Sequence, residues 1–312
     1  MSNFNVAFFG AKVAPEIGNI KGNVSDITFY ELKKSGDSVT MIEPTRYPES
    51  VAPLFYAAEM SEFAILVVDE IDAAIGESIV MLDTVGIENG WIILRNYLQP
   101  EQIKPLLEGT VLENYEFKEY DPIELRESLM EMALELKREP GEGSRGVCPV
   151  NSHFNVTGVG TVALGYVADG YVRKHAKMKV LPLGKEVTLR SIQKYSLNFD
   201  SATVGDHLGM ALRGIESDEL DRGFVVTDDE DVTMTTKFTG KVKTVKFWKE
   251  PLRDGMVMHL GHWRQMIPFR MSLSGDDVTF DLNSELIYKP GDKAVLMYLE
   301  GGKLRVVGSV TL

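Results

Sequence analysis

Apolar and polar positions follow two different rhythms along this chain of 312 residues. In the first part, residues 3–9 alternate and then run apolar to Gly10, the pattern of a buried first strand. Phe63-Ala64-Ile65-Leu66-Val67-Val68-Asp69 is a short, continuous, β-branched run closed by acids, and Trp91-Ile92-Ile93-Leu94-Arg95 is a second. Runs of this kind predict strands covered on both faces. Between them, Asp72 to Val85 has helical spacing. Gln99 to Leu107 and Pro122 to Leu136 predict further helices, the last with Asp121 at the capping position and Pro122 just inside it. Buried strands alternating with helices predict an α/β domain with a mostly parallel sheet.

The rhythm changes at Leu136 to Gly146, where Gly, Pro and charged residues crowd together as in a linker. Beyond it come short alternating runs closed by Gly, Asp or Pro, such as Leu183-Gly184 and Pro290-Gly291-Asp292. Turn signals at about every ten residues predict β-barrels. The span is long enough for two, and the acidic break Thr227-Asp228-Asp229-Glu230-Asp231 puts the cut near residue 230. The expected domains are therefore 1–140, α/β, then 141–229 and 230–312, each a barrel.

Composition narrows the function classes. Hydrophobic residues make up 44% and charged residues 25%, ordinary values for a globular chain and unlike a disordered tail or a disulfide scaffold. No apolar run approaches the roughly 18–20 residues that span a bilayer, and the first residues read as a strand rather than a signal peptide. A lone cysteine, Cys148, allows no internal disulfide, and a reducing cytoplasm is the expected setting, with no membrane partner. The formal net charge is −13, unevenly placed: residues 1–140 hold 11 basic and 25 acidic residues, residues 141–312 hold 22 and 21. A field of that sign repels phosphate, so any nucleic-acid contact is expected in the second part.

Specific motifs begin at Pro149. The chain reads Asn151-Ser152-His153-Phe154-Asn155-Val156-Thr157-Gly158-Val159-Gly160-Thr161-Val162, then Val187-Thr188-Leu189-Arg190-Ser191-Ile192-Gln193, then Val204-Gly205-Asp206-His207-Leu208-Gly209-Met210-Ala211-Leu212-Arg213-Gly214, and closes with Asp218-Glu219-Leu220-Asp221-Arg222-Gly223. These four segments, in order, resemble the second domain of the elongation factor Tu family of translational GTPases, most of all the selenocysteine-specific elongation factor and its archaeal relatives. Lys289-Pro290-Gly291-Asp292-Lys293-Ala294-Val295-Leu296-Met297 resembles that family's third domain less specifically. The resemblance implies a degenerate GTPase-like α/β domain with a mostly parallel sheet, followed by two β-barrels of elongation factor Tu type.

The nucleotide motifs of that family are missing from the first domain. A phosphate loop needs G-x-x-x-x-G-K-[ST], because backbone N–H groups and a lysine wrap the phosphates and a hydroxyl holds Mg²⁺. Here Gly10 is followed by Ala11-Lys12-Val13-Ala14-Pro15-Glu16, where Pro15 lacks a donor and Glu16 repels phosphate. Gly22-Asn23-Val24-Ser25-Asp26-Ile27-Thr28-Phe29 resembles the end of switch I, too close to Gly10 for the usual first helix and switch loop. Switch II appears as Glu43-Pro44-Thr45-Arg46, the guanine-reading motif as Asn96-Tyr97-Leu98-Gln99, and the Ser-Ala-Lys loop has no clear equivalent near Phe117-Lys118-Glu119. With lysine, Mg²⁺ ligand and water positioner lacking, no GTP hydrolysis, no bound nucleotide and no cofactor are expected.

Other constellations read as structural. His259-Leu260-Gly261-His262 spans positions whose side chains point to opposite faces of a strand, with no neighbour to complete a zinc set, so no metal is expected. Asp69, Glu70 and Asp72 read as a solvated acidic loop, and Met41, Met60, Met81, Met130 and Met132 as core. Lys237, Lys241, Lys243, Lys246 and Lys249 read as a solvated edge strand, and no basic stripe is evident.

The resulting expectation is an elongation factor-like protein that does not hydrolyse GTP and binds tRNA, the ribosome or another translation component, with no DNA partner. The alternatives are a scaffold or regulator with protein partners only, a homodimer included, and a GTP-binding elongation factor with divergent motifs. In the family, the segment matching Asp218 to Gly223 places a glutamate and an arginine against the 3′ end of aminoacyl-tRNA, which by position are Glu219 and Arg222. The family lines its aminoacyl pocket with a loop before a barrel strand, here Asn151, Ser152, His153 and Phe154, of which Phe154 joins the expected tRNA-end site. Acidic residues common at the first two of these places are neutral here.

Overall fold

The computed structural model describes residues 3–24, 26–34, 36–136, 138 and 145–312. The expected cut between residues 140 and 141, and most of the linker around it, lie outside the described residues. By contact density the chain groups into two compact units, one of Met1–Lys137, Val242–Arg253 and Val295–Val310, the other of Arg138–Lys241, Asp254–Ala294 and Thr311–Leu312.

The α/β part contains strands β1 (Asn3–Gly10), β2 (Asn19–Val24), β3 (Ile27–Lys34), β4 (Asp37–Glu43), β5 (Phe63–Val68), β6 (Gly90–Leu94) and β7 (Glu116–Lys118). Helices are α1 (Ala14–Ile17), α2 (Ala52–Glu59), α3 (Ala73–Val85), α4 (Pro100–Leu107) and α5 (Pro122–Glu135). The sheet order is β2-β3-β4-β1-β5-β6-β7. β4, β1, β5, β6 and β7 run parallel, while β2 and β3 add an antiparallel flap at one side. All six residues of β5 are buried, as the continuous apolar run requires.

Helix starts follow local chemistry. Asp72 accepts a hydrogen bond from the Ile75 N–H to cap α3, and Asp121 accepts from Ile123 and Glu124 to cap α5. α5 buries Leu125, Leu129, Met130 and Ala133 in the core beneath β1, β4 and β5, with Met41 in the same cluster.

The all-β part begins with β8 (Val147–Val156), β9 (Gly160–Tyr166), β10 (Tyr171–Arg173), β11 (Lys177–Leu181), β12 (Lys185–Lys194), β13 (Leu197–Phe199), β14 (Ser201–Thr203), β15 (His207–Arg213) and β16 (Val225–Thr227). The ladder β11-β16-β8-β9-β15-β12 closes on itself through β11 and β12, so it is a barrel filled by Cys148, Val150, Ala163, Met210 and neighbouring side chains. Closure removes sheet edges. β10 and β14 form a separate two-stranded ribbon.

The last strands are β17 (Thr233–Gly240), β18 (Val242–Thr244), β19 (Val257–His262), β20 (Gln265–Ser274), β21 (Asp277–Tyr288), β22 (Lys293–Met297) and β23 (Val306–Thr311). Their order is β17-β21-β20-β19-β22-β23-β18, a half-barrel that ends on two edges. Lys237 lies on β17 and Lys243 on β18, so the charged edge expected from the sequence is where the ladder stops.

Candidate functional site

Two places merit description: the carboxyl-terminal rim of the parallel strands, where open α/β sheets hold ligands, and the ledge Ser217–Gly223 on the barrel.

At the rim, β1 ends on Gly10, whose φ is +90° and whose missing Cβ would sit 1.9 Å from the Val67 carbonyl oxygen. Only glycine fits there. The turn after it spends its donors internally. Ala11 N–H donates to Val67 O at 3.0 Å, Val13 N–H to Ala11 O at 2.9 Å and Glu16 N–H to Val13 O at 3.0 Å. Pro15 has no N–H, and α1 is four residues long before Gly18 N–H returns to Ala14 O. The Ile17 carbonyl is held from outside by Arg126 Nε at 2.8 Å.

The neighbouring strand ends carry carboxylates. Glu43, closing β4, is buried, and burial pushes its carboxyl up, with Lys12 opposing. Asp69, after β5, pairs with Arg95 at 3.3 Å, and the Arg95 guanidinium lies 4.9 Å from the Tyr120 ring. Asn96 and Tyr97 take consecutive left-handed conformations, φ +51° and +63°, and Asn96 Nδ2 donates to Asp69 O at 3.2 Å. The acidic loop of the sequence reading is therefore structural in part: Asp69 is an ion-pair member and Asp72 a helix cap.

On the barrel, Ser217–Glu219 form one 3₁₀ turn. Glu216 N–H donates to Glu219 Oε2 at 2.8 Å, and Lys185 Nζ lies 2.7 Å from both Glu219 oxygens. The Glu216 N–H, then the Lys185 ammonium, hold the Glu219 carboxyl below its ordinary range. Leu220 is buried in the barrel core and Gly223, at φ +87°, donates its N–H to Val150 O at 3.0 Å. Between these two anchors Arg222 is half-buried. His153 Nδ1 is 3.2 Å from Ser217 Oγ, which brings β8 to the turn.

The residues expected to line a loop before the strand stand instead within β8, which pairs with β9 on both sides of an irregularity at Asn151. The register shifts between Val150 and Ser152; Asn151 there is buried, and Phe154 is exposed at 43%. Glu219, Arg222 and Ser217 thus share one ledge, which His153 joins. Lys185, which holds Glu219, went unnoticed in the sequence because it lies 34 positions away, at the start of β12.

Elsewhere, His262 Nε2 lies 3.1 Å from Asp292 Oδ2, a carboxylate that sequence spacing did not place beside the histidine pair. Among the described residues no group of three or more His, Cys, Asp or Glu is placed to hold a metal ion. Cys148 is buried, and burial pushes its thiol well above the ordinary range. No helix among the described residues is long and apolar enough to cross a membrane.

Comparison with known proteins agrees with this architecture. Residues 160–227, from β9 to β16, match the family model for elongation factor Tu domain 2. An uncharacterized protein of Methanocaldococcus jannaschii is 31% identical over 312 residues, covering 99% of both chains. The selenocysteine-specific elongation factor of the same organism is 26% identical over 362 residues, covering 96% of this chain and 77% of that protein. The crystal structure of translation elongation factor SelB from Methanococcus maripaludis, in complex with a GTP analogue, superposes with a TM-score of 0.82 at 21% identity and covers all of this chain and 79% of that one. The match along both whole chains, the domain 2 signature and the kinship to the selenocysteine-specific factor lead to one statement: this chain belongs to the elongation factor Tu family of translation factors, as a relative of the selenocysteine-specific elongation factors.

Proposed function

We propose that this protein works in translation without a guanine nucleotide, holding the 3′ end of a tRNA on its first barrel while the α/β domain serves as a scaffold. The three-domain division at 1–140, 141–229 and 230–312 belongs to the same reading. The observation that carries it is the turn from Gly10 to Gly18. A nucleotide needs several backbone N–H groups aimed at its phosphates, and here Ala11, Val13, Glu16 and Gly18 donate to the protein's own carbonyls. Isothermal calorimetry with GTP and Mg²⁺ is expected to give no binding heat at micromolar concentrations; a micromolar Kd would overturn the nucleotide-free reading.

For the tRNA end, the ledge offers the half-buried Arg222 and a Glu219 carboxylate held by the Glu216 N–H, with Phe154 exposed on β8. A guanidinium fork grips phosphate and a carboxylate accepts from a ribose 2′-hydroxyl. Lys185 already occupies Glu219 from one side, so that carboxylate accepts an RNA hydroxyl only as a shared acceptor. Arg222→Ala should weaken aminoacyl-tRNA binding by about 1–3 kcal/mol, the scale of a lost charge-assisted contact, and leave thermal stability within about 0.5 kcal/mol. Filter binding together with a thermal melt checks both. Unchanged binding, or an unfolded barrel, would remove Arg222 from the site. Co-sedimentation with ribosomal particles is the companion measurement for a ribosomal partner.

A further inference from the structure

The first barrel carries a basic face that the sequence reading passed over. Residues 171–185 include Arg173, Lys174, Lys177, Lys179 and Lys185 and not one acid, inside a chain of net charge −13. The fold turns this run outward. On β11, Met178 and Val180 enter the barrel core, so Lys177 and Lys179 share the outer face, about 6–7 Å apart. Lys177 pairs across the ladder with Thr188, and Thr188 with the exposed Arg213, so two cations flank a neutral threonine on one face of three adjacent strands.

Beside them the β10–β14 ribbon opens a cleft of about 440 Å³ lined by Tyr171, Arg173, Lys174, His175, Asp200 and Ser201. Its shape is fixed by the backbone: Lys174 N–H donates to Asp200 O at 2.8 Å, and His175, at φ +69°, donates its N–H to Leu189 O at 2.6 Å. A non-glycine residue in the left-handed region costs energy, and such strain often serves to aim a side chain. The Arg173 guanidinium lies 5.0 Å from the Tyr171 ring centroid, which fixes its plane. Two acids temper the face. Asp200 stands 3.9 Å from Lys174, with its side chain 96% exposed, and Glu186 pairs across from Lys179.

We infer that this face, Arg173, Lys174, His175, Lys177 and Arg213, binds the phosphodiester backbone of RNA without reading its sequence. Cations spread over neighbouring strands and the turn between them suit a chain of phosphates better than a single anion. On a protein with this net charge, a local basic face is what permits approach to RNA at all. The inference rests on the proposed tRNA reading only for which RNA is held; the face itself stands on its own geometry.

The test uses the full-length protein and fluorescein-labelled oligouridylate, which has no aminoacyl end, followed by anisotropy over a range of salt concentrations. The triple variant Arg173→Gln/Lys174→Gln/Lys177→Gln is expected to bind about 10- to 100-fold more weakly at low salt and to flatten the slope of log affinity on log salt by about 2. The replaced side chains are exposed, and the single variant Lys177→Gln, which should remove under one unit of slope, guards against misfolding of the triple. Lys237→Gln/Lys241→Gln/Lys243→Gln makes the same charge change on exposed positions elsewhere and should leave affinity within about twofold. No binding by the parent protein, or equal losses in the two triple variants, would overturn the inference. Binding of poly-glutamate in place of oligouridylate would also overturn it and assign the face to an acidic protein. If oligouridylate binding depends on the face while Arg222→Ala leaves aminoacyl-tRNA binding unchanged, the 3′-end reading fails and the basic face stands; the opposite pattern sinks the face alone.

Discussion

Replacing Arg305 by alanine should lower the unfolding free energy by about 3–5 kcal/mol, the cost of leaving a buried partner charge uncompensated. That partner is Glu77, in the middle of α3 and only 2% exposed. Its Oε2 lies 2.5 Å from Arg305 Nη2, and its Oε1 accepts from Arg305 Nε at 3.2 Å and from the Arg305 backbone N–H. The remaining guanidinium nitrogen donates to Pro48 O at 3.0 Å, and the Tyr47 ring lies 5.7 Å from the guanidinium carbon. Tyr47 in turn donates its hydroxyl to the Ala74 carbonyl at the start of α3. One side chain therefore joins α3, the turn at Pro48 and the approach to β23 within the first unit. The five α-helices among the described residues lie in that unit, so helix circular dichroism during urea unfolding reports on it. Pairing Arg305→Met with Glu77→Leu should recover much of the loss, because a matched apolar pair leaves no buried charge. A loss under about 1 kcal/mol in the single variant would mean that water reaches Glu77.

The second large effect is expected in the barrel. Asp206 is 2% exposed and accepts from Lys194 Nζ at 2.8 Å and from Thr203 N–H at 2.9 Å. Lys194, 5% exposed, also stands 4.5 Å from the Phe199 ring centroid. Asp206→Ala should cost about 3–5 kcal/mol, since the lysine would remain buried with only an aromatic face for company. Adding Lys194→Met to Asp206→Ala should restore most of that stability, and the difference between single and double variants, read from urea midpoints by fluorescence, measures the coupling. Equal losses in the single and double variants would show that Asp206 acts through the Thr203 turn and not through Lys194. Asp206 belongs to the Val204-Gly205-Asp206-His207 segment that marks the family in the sequence, and its position here assigns that part of the signature to holding the barrel together.

Sequence reading recovered elements wherever one local rule was enough. β1, β5 and β6 followed from apolar runs, and α3, α4 and α5 began within a residue of where Asp72, Gln99 and Asp121 signalled. The small barrel was legible because four motifs in order carry more information than any one of them.

What escaped depended on residues far apart in the chain. The antiparallel flap β2–β3 and helix α2 were not separated from their surroundings by periodicity alone. Asp292 beside His262, and Lys185 beside Glu219, meet only once strands are paired. The second barrel, expected to close, is a half-barrel, because closure depends on pairing between strands distant in the sequence.

By itself, then, the sequence determined much of the strand and helix content and the family of the first barrel, because each is written in neighbouring residues. Only the tertiary structure decided which charges are buried and paired, as at Glu77 with Arg305 and Lys194 with Asp206, and which stand together on the surface, as from Arg173 to Arg213. The energy of a charge depends on what solvates or faces it, and that is set by the pairing of strands distant in sequence rather than by the residue's own neighbours.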